Sequence, residues 1–255
     1  VFTFQVYGNN TLTSATLAAP LQSAIAANLA CGASFCNIFS VSGTSSSDVV
    51  VDRPIGKWTG LVDRDWFKDN NWSNCKVPDC TNDVEIPAVM NLPEINNTQP
   101  AYCQSIQINN ASSVSLLANA NFNVCGDITV ANTAALTSDN GSTVRITGSS
   151  DQTVSWNPAG NWTVENLSME QTVPSRLILS DTLDVKNSLT LTSGTIVNGI
   201  REVRVQKGAA AAVTAGNANS YVEGRLRRNV SETGTYYLPV GNNTVGYELA
   251  ELNFA

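Results

Sequence analysis

The chain has 255 residues, a formal net charge of −7 and only 14% charged residues. That balance argues against an extended nucleic-acid footprint, and no apolar run reaches the roughly 18 residues of a membrane-spanning helix. Histidine is absent, which excludes Ser-His-Asp and Cys-His nucleophiles and any histidine-bearing zinc hydrolase site.

Residues 1–52 have a pattern of their own. Phe2, Phe4 and Val6 alternate and predict a strand over Phe2–Tyr7. Leu17, Leu21, Ile25 and Leu29 recur every four residues and predict a helix over Thr16–Leu29, with Pro20 tolerated in its first turn. Cys36–Val41 and Asp48–Val51 predict two more strands. The expectation is a small α/β capping domain, because the end of a stacked β structure has to be covered. Val1 leads straight into the first strand, as expected of a mature N-terminus left after processing.

The next segment, from residue 53 to about 100, is dense in aromatic and turn residues. Trp58, Trp66 and Trp72 are closely spaced, and core filling is the expected role, with a glycan-stacking platform as the alternative. Asp63, Asp65 and Asp69, beside Asn70 and Asn71, gather oxygen ligands in one loop and are the candidate calcium site. The competing role for these residues, turn building, is the one expected; no cofactor is otherwise implied.

From Cys103 to about Gln206 the sequence repeats itself. Ile106 and Ile108 return as Leu167 and Met169, Leu116 as Leu177, Phe122 and Val124 as Leu183 and Val185, and Ile128 and Val130 as Leu189 and Leu191, always 61 residues on. A shorter step of 22 separates Ile106 from Ile128 and Leu167 from Leu189. Each anchor is apolar at i and i+2 with polar residues between, the pattern of a strand buried on one face. Such short repeats bury their apolar faces only by stacking. The linkers, among them Ser138-Asp139-Asn140-Gly141, carry turn chemistry rather than helix formers. The reading is a mainly β protein with a right-handed parallel β-helix over residues 53–215, three turns spanning the offset of 61. An antiparallel sandwich with accidental periodicity is the competing fold.

Residues 216–255 carry three alternating runs, Tyr221–Val230, Thr235–Val240 and Tyr247–Phe254, and predict an incomplete antiparallel β meander. Arg225, Arg227 and Arg228 form the one basic cluster.

Six cysteines point to an oxidising, extracellular compartment. The expected pairs are Cys31 with Cys36, Cys75 with Cys80, and Cys103 with Cys125. The last pair is argued from the 22-residue step, which would place its members on adjacent turns about 4.8 Å apart. A zinc site from the two C-x4-C pairs is the competing reading.

The motifs Trp58-Thr59-Gly60, Asp65-Trp66, Asn71-Trp72-Ser73, Val77-Pro78 and Asp83-Val84-Glu85-Ile86-Pro87 follow one another, and Gln152-Thr153-Val154 comes later. With Tyr221-Val222-Glu223-Gly224-Arg225 and Tyr237-Leu238-Pro239-Val240-Gly241, this order resembles modules of large cell-surface proteins exported by the type IX secretion system of Bacteroidota. The resemblance covers about residues 56–255. It implies a secreted, adhesive or structural surface protein and names no ligand. The C-terminal sorting domain of that class has no counterpart here, so either the chain is a processed fragment or the resemblance does not extend to the route of export. Asp181-Thr182-Leu183 resembles the short O-glycosylation motif of the same bacteria, with Thr182 as acceptor.

The functional expectation is therefore a non-catalytic structural or adhesive segment of an extracellular cell-surface protein. Its partners would be further domains of a longer chain or other copies of itself, with surface glycans as possible ligands. A filament subunit joined by strand addition is the first alternative. A β-helix polysaccharide lyase or hydrolase, or a glycan-binding module, is the second. Against catalysis, Asp127 and Asp184 sit at outward positions of alternating strands, and no two carboxylates share a repeat position beside an arginine.

Overall fold

The computed structural model describes residues 56–255, so the predicted strand Phe2–Tyr7, the helix Thr16–Leu29 and the pair Cys31–Cys36 lie outside the described residues. Within them the chain is a parallel β-solenoid whose turns lay short strands on three faces. The first turn comprises β1 (Val84–Ile86), β2 (Glu94–Ile95) and β3 (Ala101–Cys103). The second is β4 (Ile106–Ile108), β5 (Ser113–Leu116) and β6 (Asn121–Val124), and the third is β7 (Ile128–Val130), β8 (Ala135–Ser138) and β9 (Thr143–Ile146). In the fourth and fifth turns the second and third faces merge into long strands. These turns are β10 (Gln152–Trp156) with β11 (Trp162–Glu170), and β12 (Arg176–Leu179) with β13 (Leu183–Ser193). The sixth turn runs through β14 (Thr195–Val205) and the seventh through β15 (Val222–Arg228), followed by the hairpin β16 (Gly234–Asn242) and β17 (Gly246–Phe254). Bends replace turns in the long strands: the pairing of β11 with β13 shifts register between Val164 and Asn166, as a bulge at a corner does.

The apolar rows explain the stack. On the first face Val84, Ile106, Ile128 and Val154 lie on successive rungs; on the third, Ala101, Phe122, Val144, Leu167 and Leu189 do the same. Ile106, Ile108, Leu116, Phe122, Val124, Ile128, Val130, Leu167, Met169, Leu177, Leu183, Val185, Leu189 and Leu191 all belong to one buried cluster, as the alternation predicts. A few inward positions are polar, Gln152 and Ser138 among them. Gln152 stands on the rung of Leu177 and Ile196; its amide donates to the carbonyls of Val124 (3.1 Å) and Gly126 (2.6 Å), and its oxygen accepts from Gln171 (2.7 Å). Buried but hydrogen-bonded, it avoids the penalty of an orphaned amide.

The structure corrects two sequence-based expectations. The 22-residue step is one turn, since Ile106 pairs with Ile128 and Leu167 with Leu189. The 61-residue offset is not three turns: Ile106 is on the first face and Leu167 on the third, so the offset is two turns and two faces. The three faces carry the same alternating pattern, and a sequence comparison matches face to face as readily as turn to turn. Second, Tyr221–Val230 does not open an antiparallel meander. β15 pairs in parallel with β14 along both halves and completes the solenoid. Among the described strands only β16 and β17 pair antiparallel, and β16 still meets β15 in parallel at Val240 and Gly241.

Ile128→Asp should leave the chain unfolded at 25 °C by circular dichroism, because an unpaired buried carboxylate costs several kcal/mol against a total stability of about 5–15. Its neighbour Thr129 faces out, and Thr129→Asp should stay within about 1 kcal/mol of the parent. Equal melting of the two variants would overturn the register.

Candidate functional site

The segment before β1 closes one end of the stack. Lys57 and Asp65 form parallel bridges to Glu85 and Glu94, adding a partial rung ahead of the first turn. Trp58, Trp66 and Trp72 are buried there, with Trp72 edge-on to both others at centroid distances of 5.0 and 4.7 Å. Trp66 also reaches Phe122 at 5.6 Å, one rung beyond the small Ala101 that pairs with Phe122. The tryptophans are core, as expected. Asn71, fully buried, holds the loop: its oxygen accepts from the N–H groups of Val62 and Asp63, and its amide donates to Asp63 Oδ1 and to the carbonyl of Asp65.

That geometry decides how the calcium candidates are used. Asp63 takes Asn71, the Asp65 N–H and the Lys68 ammonium, and this ion pair holds its carboxyl below the usual range. Asp65 accepts from the Phe67 N–H (3.1 Å) and Asp69 from that of Val77 (2.9 Å). Asp63 and Asp65 each close a turn onto the N–H two residues on, Asp69 ties the loop back to Val77, and among the described residues no set of three metal-ligating side chains converges. A depression of about 530 Å³ lies here, lined by Asp63, Arg64, Asp65, Lys68, Asn91 and Glu94. Its cations are already paired, Arg64 with Glu94 at 3.0 Å and Lys68 with Asp63.

The solenoid's acidic residues are also largely committed. Along the corner that leads into the first face, a side chain on one rung accepts the backbone N–H of the next. Asp83 accepts from Ser105 (3.1 Å), Ser105 from Asp127 (3.2 Å), Asp127 from Thr153 (2.7 Å) and Asp151 from Arg176 (2.9 Å). Asp151 also holds the Arg176 guanidinium at 2.7 and 3.1 Å, which lowers its pKa and raises that of the arginine. These oxygens fasten rungs together.

Two of the expected cysteine pairs, Cys75 with Cys80 and Cys103 with Cys125, are not formed. Cys80 is bonded to Cys125, with Cα atoms 5.5 Å apart, and Cys103 is a free buried thiol. Cys75 is also disulfide-bonded, but not to Cys80. On the third face the local step is 21, Cys103 pairing with Val124. A one-residue slip turns a side chain to the other face. Cys103 therefore points into the core, while Cys125 lies past the strand at the corner, within reach of the loop before β1. Burial, with the charge of Asp83, pushes the Cys103 thiol well above its ordinary pKa. Thr182, the glycosylation candidate, is 8% exposed at the turn before β13, where its carbonyl accepts from the Trp162 N–H; its hydroxyl offers little surface to a sugar.

The feature that sequence reasoning missed is on the outer side of the second face in the last turns. Asp184, Arg204 and Arg227 occupy one outward column on successive strands. With Val205, Gln206 and Asn229 they line a hollow of about 240 Å³. The sequence had grouped Arg225, Arg227 and Arg228 together. Strand alternation separates them: Arg228 is on the rung of the inward Val205 and donates to the carbonyls of Ala209, Ala210 and Tyr237 while stacking 4.6 Å over the Tyr236 ring. Burial lowers its pKa. Alternation about Leu226 was the signal available for this split.

No helix among the described residues is long and apolar enough to cross a membrane. A family model described as a domain of unknown function (DUF8693) matches residues 57–155, from the tryptophan-bearing cap into β10. No curated protein and no solved structure matches the chain.

Native protein treated with iodoacetamide should keep Cys103 unmodified and lose that protection on unfolding, while a non-reducing digest yields a Cys80–Cys125 peptide; a Cys103–Cys125 peptide would reverse the assignment. The lowered carboxyl pKa of Asp151 sets a second expectation. Between the unfolded value of about 4 and its lower folded value the native state binds fewer protons than the unfolded one, so stability is present above about pH 4 and is lost on acidification through that window. In a series of melts from pH 5 to about 2, Asp151→Asn should shallow the loss of melting temperature. An unchanged slope would show that the Asp151–Arg176 pair is uncoupled from folding.

Proposed function

We propose that the chain is a non-catalytic, rod-forming segment of an extracellular cell-surface protein, structural or adhesive, that lengthens by strand addition. The observation that carries this reading is β17, which pairs with β16 along nine residues and with nothing on its other side among the described residues. An unpaired row of backbone N–H and C=O groups is a template for another strand. Leu252 and Phe254 on it are 46% and 41% exposed, apolar surface that a neighbouring segment would cover. Further domains of a longer chain and other copies of this chain both fit that edge, and the second occupant makes the chain a filament subunit. An extracellular setting is supported by the oxidised Cys80–Cys125 pair. The same setting suits the resemblance to type IX-exported surface modules.

Electron microscopy and light scattering of native material should show rods, and Leu252→Lys should shorten or disperse them while leaving the unfolding free energy within about 0.5 kcal/mol of the parent's. A charge on an edge strand opposes pairing there. Rods of unaltered length in Leu252→Lys, or compact monomers from the parent, would count against the proposal.

A further inference from the structure

Seven of the chain's 14 lysines and arginines fall between Lys186 and Arg228, against two carboxylates, Glu202 and Glu223. In a protein of net charge −7 this is a local reversal of sign, and the fold concentrates part of it on one outer face. Arg204 and Arg227 stand side by side on paired strands, which puts their backbones about 4.8 Å apart. Arg204 is anchored through Nε to Glu202 Oε2 at 2.6 Å, so its terminal nitrogens remain to serve a ligand. The Arg227 side chain is exposed and makes no hydrogen bond or ion pair with any described residue. The hydrogen bond from Arg204, with smaller contributions from the charges of Arg204, Arg227 and Arg225, holds Glu202 below the usual carboxylate range. Next in the column, Asp184 Oδ2 accepts from Asn161 at 2.8 Å, which leaves Oδ1 open to a hydroxyl donor.

We propose that this column, Asp184, Arg204 and Arg227, binds an anionic polysaccharide. The two guanidiniums take neighbouring carboxylate or sulfate groups, for which their forked donors are suited, and Asp184 with Gln206 and Asn229 reads ring hydroxyls. The spacing of the two strands is comparable to one pyranose unit, and a hollow of about 240 Å³ holds one or two sugars. Duplex DNA carries a charge about every 1.7 Å of its axis, denser than the one charge per sugar of a polyuronate, and offers fewer hydroxyls for Asp184, Gln206 and Asn229. The site does not involve the β17 edge, so ligand binding and rod formation are scored separately.

The test is calorimetric titration of the 255-residue chain with polygalacturonate, dextran sulfate and neutral dextran. One of the two polyanions should bind and neutral dextran should not, and the polymer that binds identifies the anion as uronate or sulfate. Arg204→Ala and Arg227→Ala should each weaken binding about tenfold, with parental melting curves. Arg227→Lys, which keeps the charge and loses the fork, should fall between, and Arg64→Ala at the opposite end should bind as the parent does. The proposal is overturned if neither polyanion binds at about 50 mM salt, or if both alanine variants bind like the parent. Duplex DNA or phosphatidylserine vesicles bound as tightly as the sugar polymers would overturn it too, since net local charge alone would then explain the affinity.

Discussion

A turn of this protein cannot bury its own apolar side chains. Three strands of three or four residues leave each inward Ile, Val or Leu with open space above and below, and what closes that space is the next turn, seated in register. Ile106 under Ile128 under Val154, and Phe122 under Val144 under Leu167, are therefore both the hydrophobic core and the specification of the fold. The backbone ladder follows from the same registration, because a rung shifted by one residue would turn its apolar set outward.

Stacking makes the ends the expensive places. At one end the solution is aromatic: Trp58, Trp66 and Trp72 fill the mouth of the first turn, and Trp66 extends past Ala101 to Phe122. The Cys80–Cys125 bond then ties the loop before the first turn to the corner after β6, and such a cross-link reduces the freedom of the unfolded chain more than that of the folded one. Near the other end the inward row changes character. Arg228 takes the place that Val185 and Val205 hold on earlier rungs, and three backbone carbonyls and the Tyr236 ring compensate its terminal nitrogens, while its buried Nε has no hydrogen-bond partner among the described residues.

The solenoid was legible from its alternation, and so was the whole set of core anchors, since inward apolar residues at i and i+2 are dictated by strand geometry alone. Phase was not legible. The three faces of a turn use the same residue code, so Ile106 and Leu167 look equivalent in sequence while lying on different faces. Cys103 and Cys125 were misjudged for a related reason: the average step of 22 conceals a step of 21 on the third face, and a single residue decides whether a thiol enters the core. The calcium run was equally ambiguous, because the carboxylates that ligate cations also close Asx turns. Only the positions of Asn71 and Lys68 show which use Asp63 has.

The physical constraints on most of the chain also indicate where a partner can be read. Inward positions are held by the stack, and corner polar residues such as Asp83, Asp127 and Asp151 are occupied by the N–H groups of the next rung. Mid-face outward positions on the long strands carry neither duty: a Ser, a Thr or an Arg there changes little in the ladder beneath. When such positions hold a column of charge, as Asp184, Arg204 and Arg227 do, the bonds of Asp184 to Asn161 and of Arg204 to Glu202 account for part of it, and the fold supplies no partner for Arg227 among the described residues. A ligand does, and the regular rise between strands gives that ligand a preferred form, one whose own charged groups recur at the interval of the rungs.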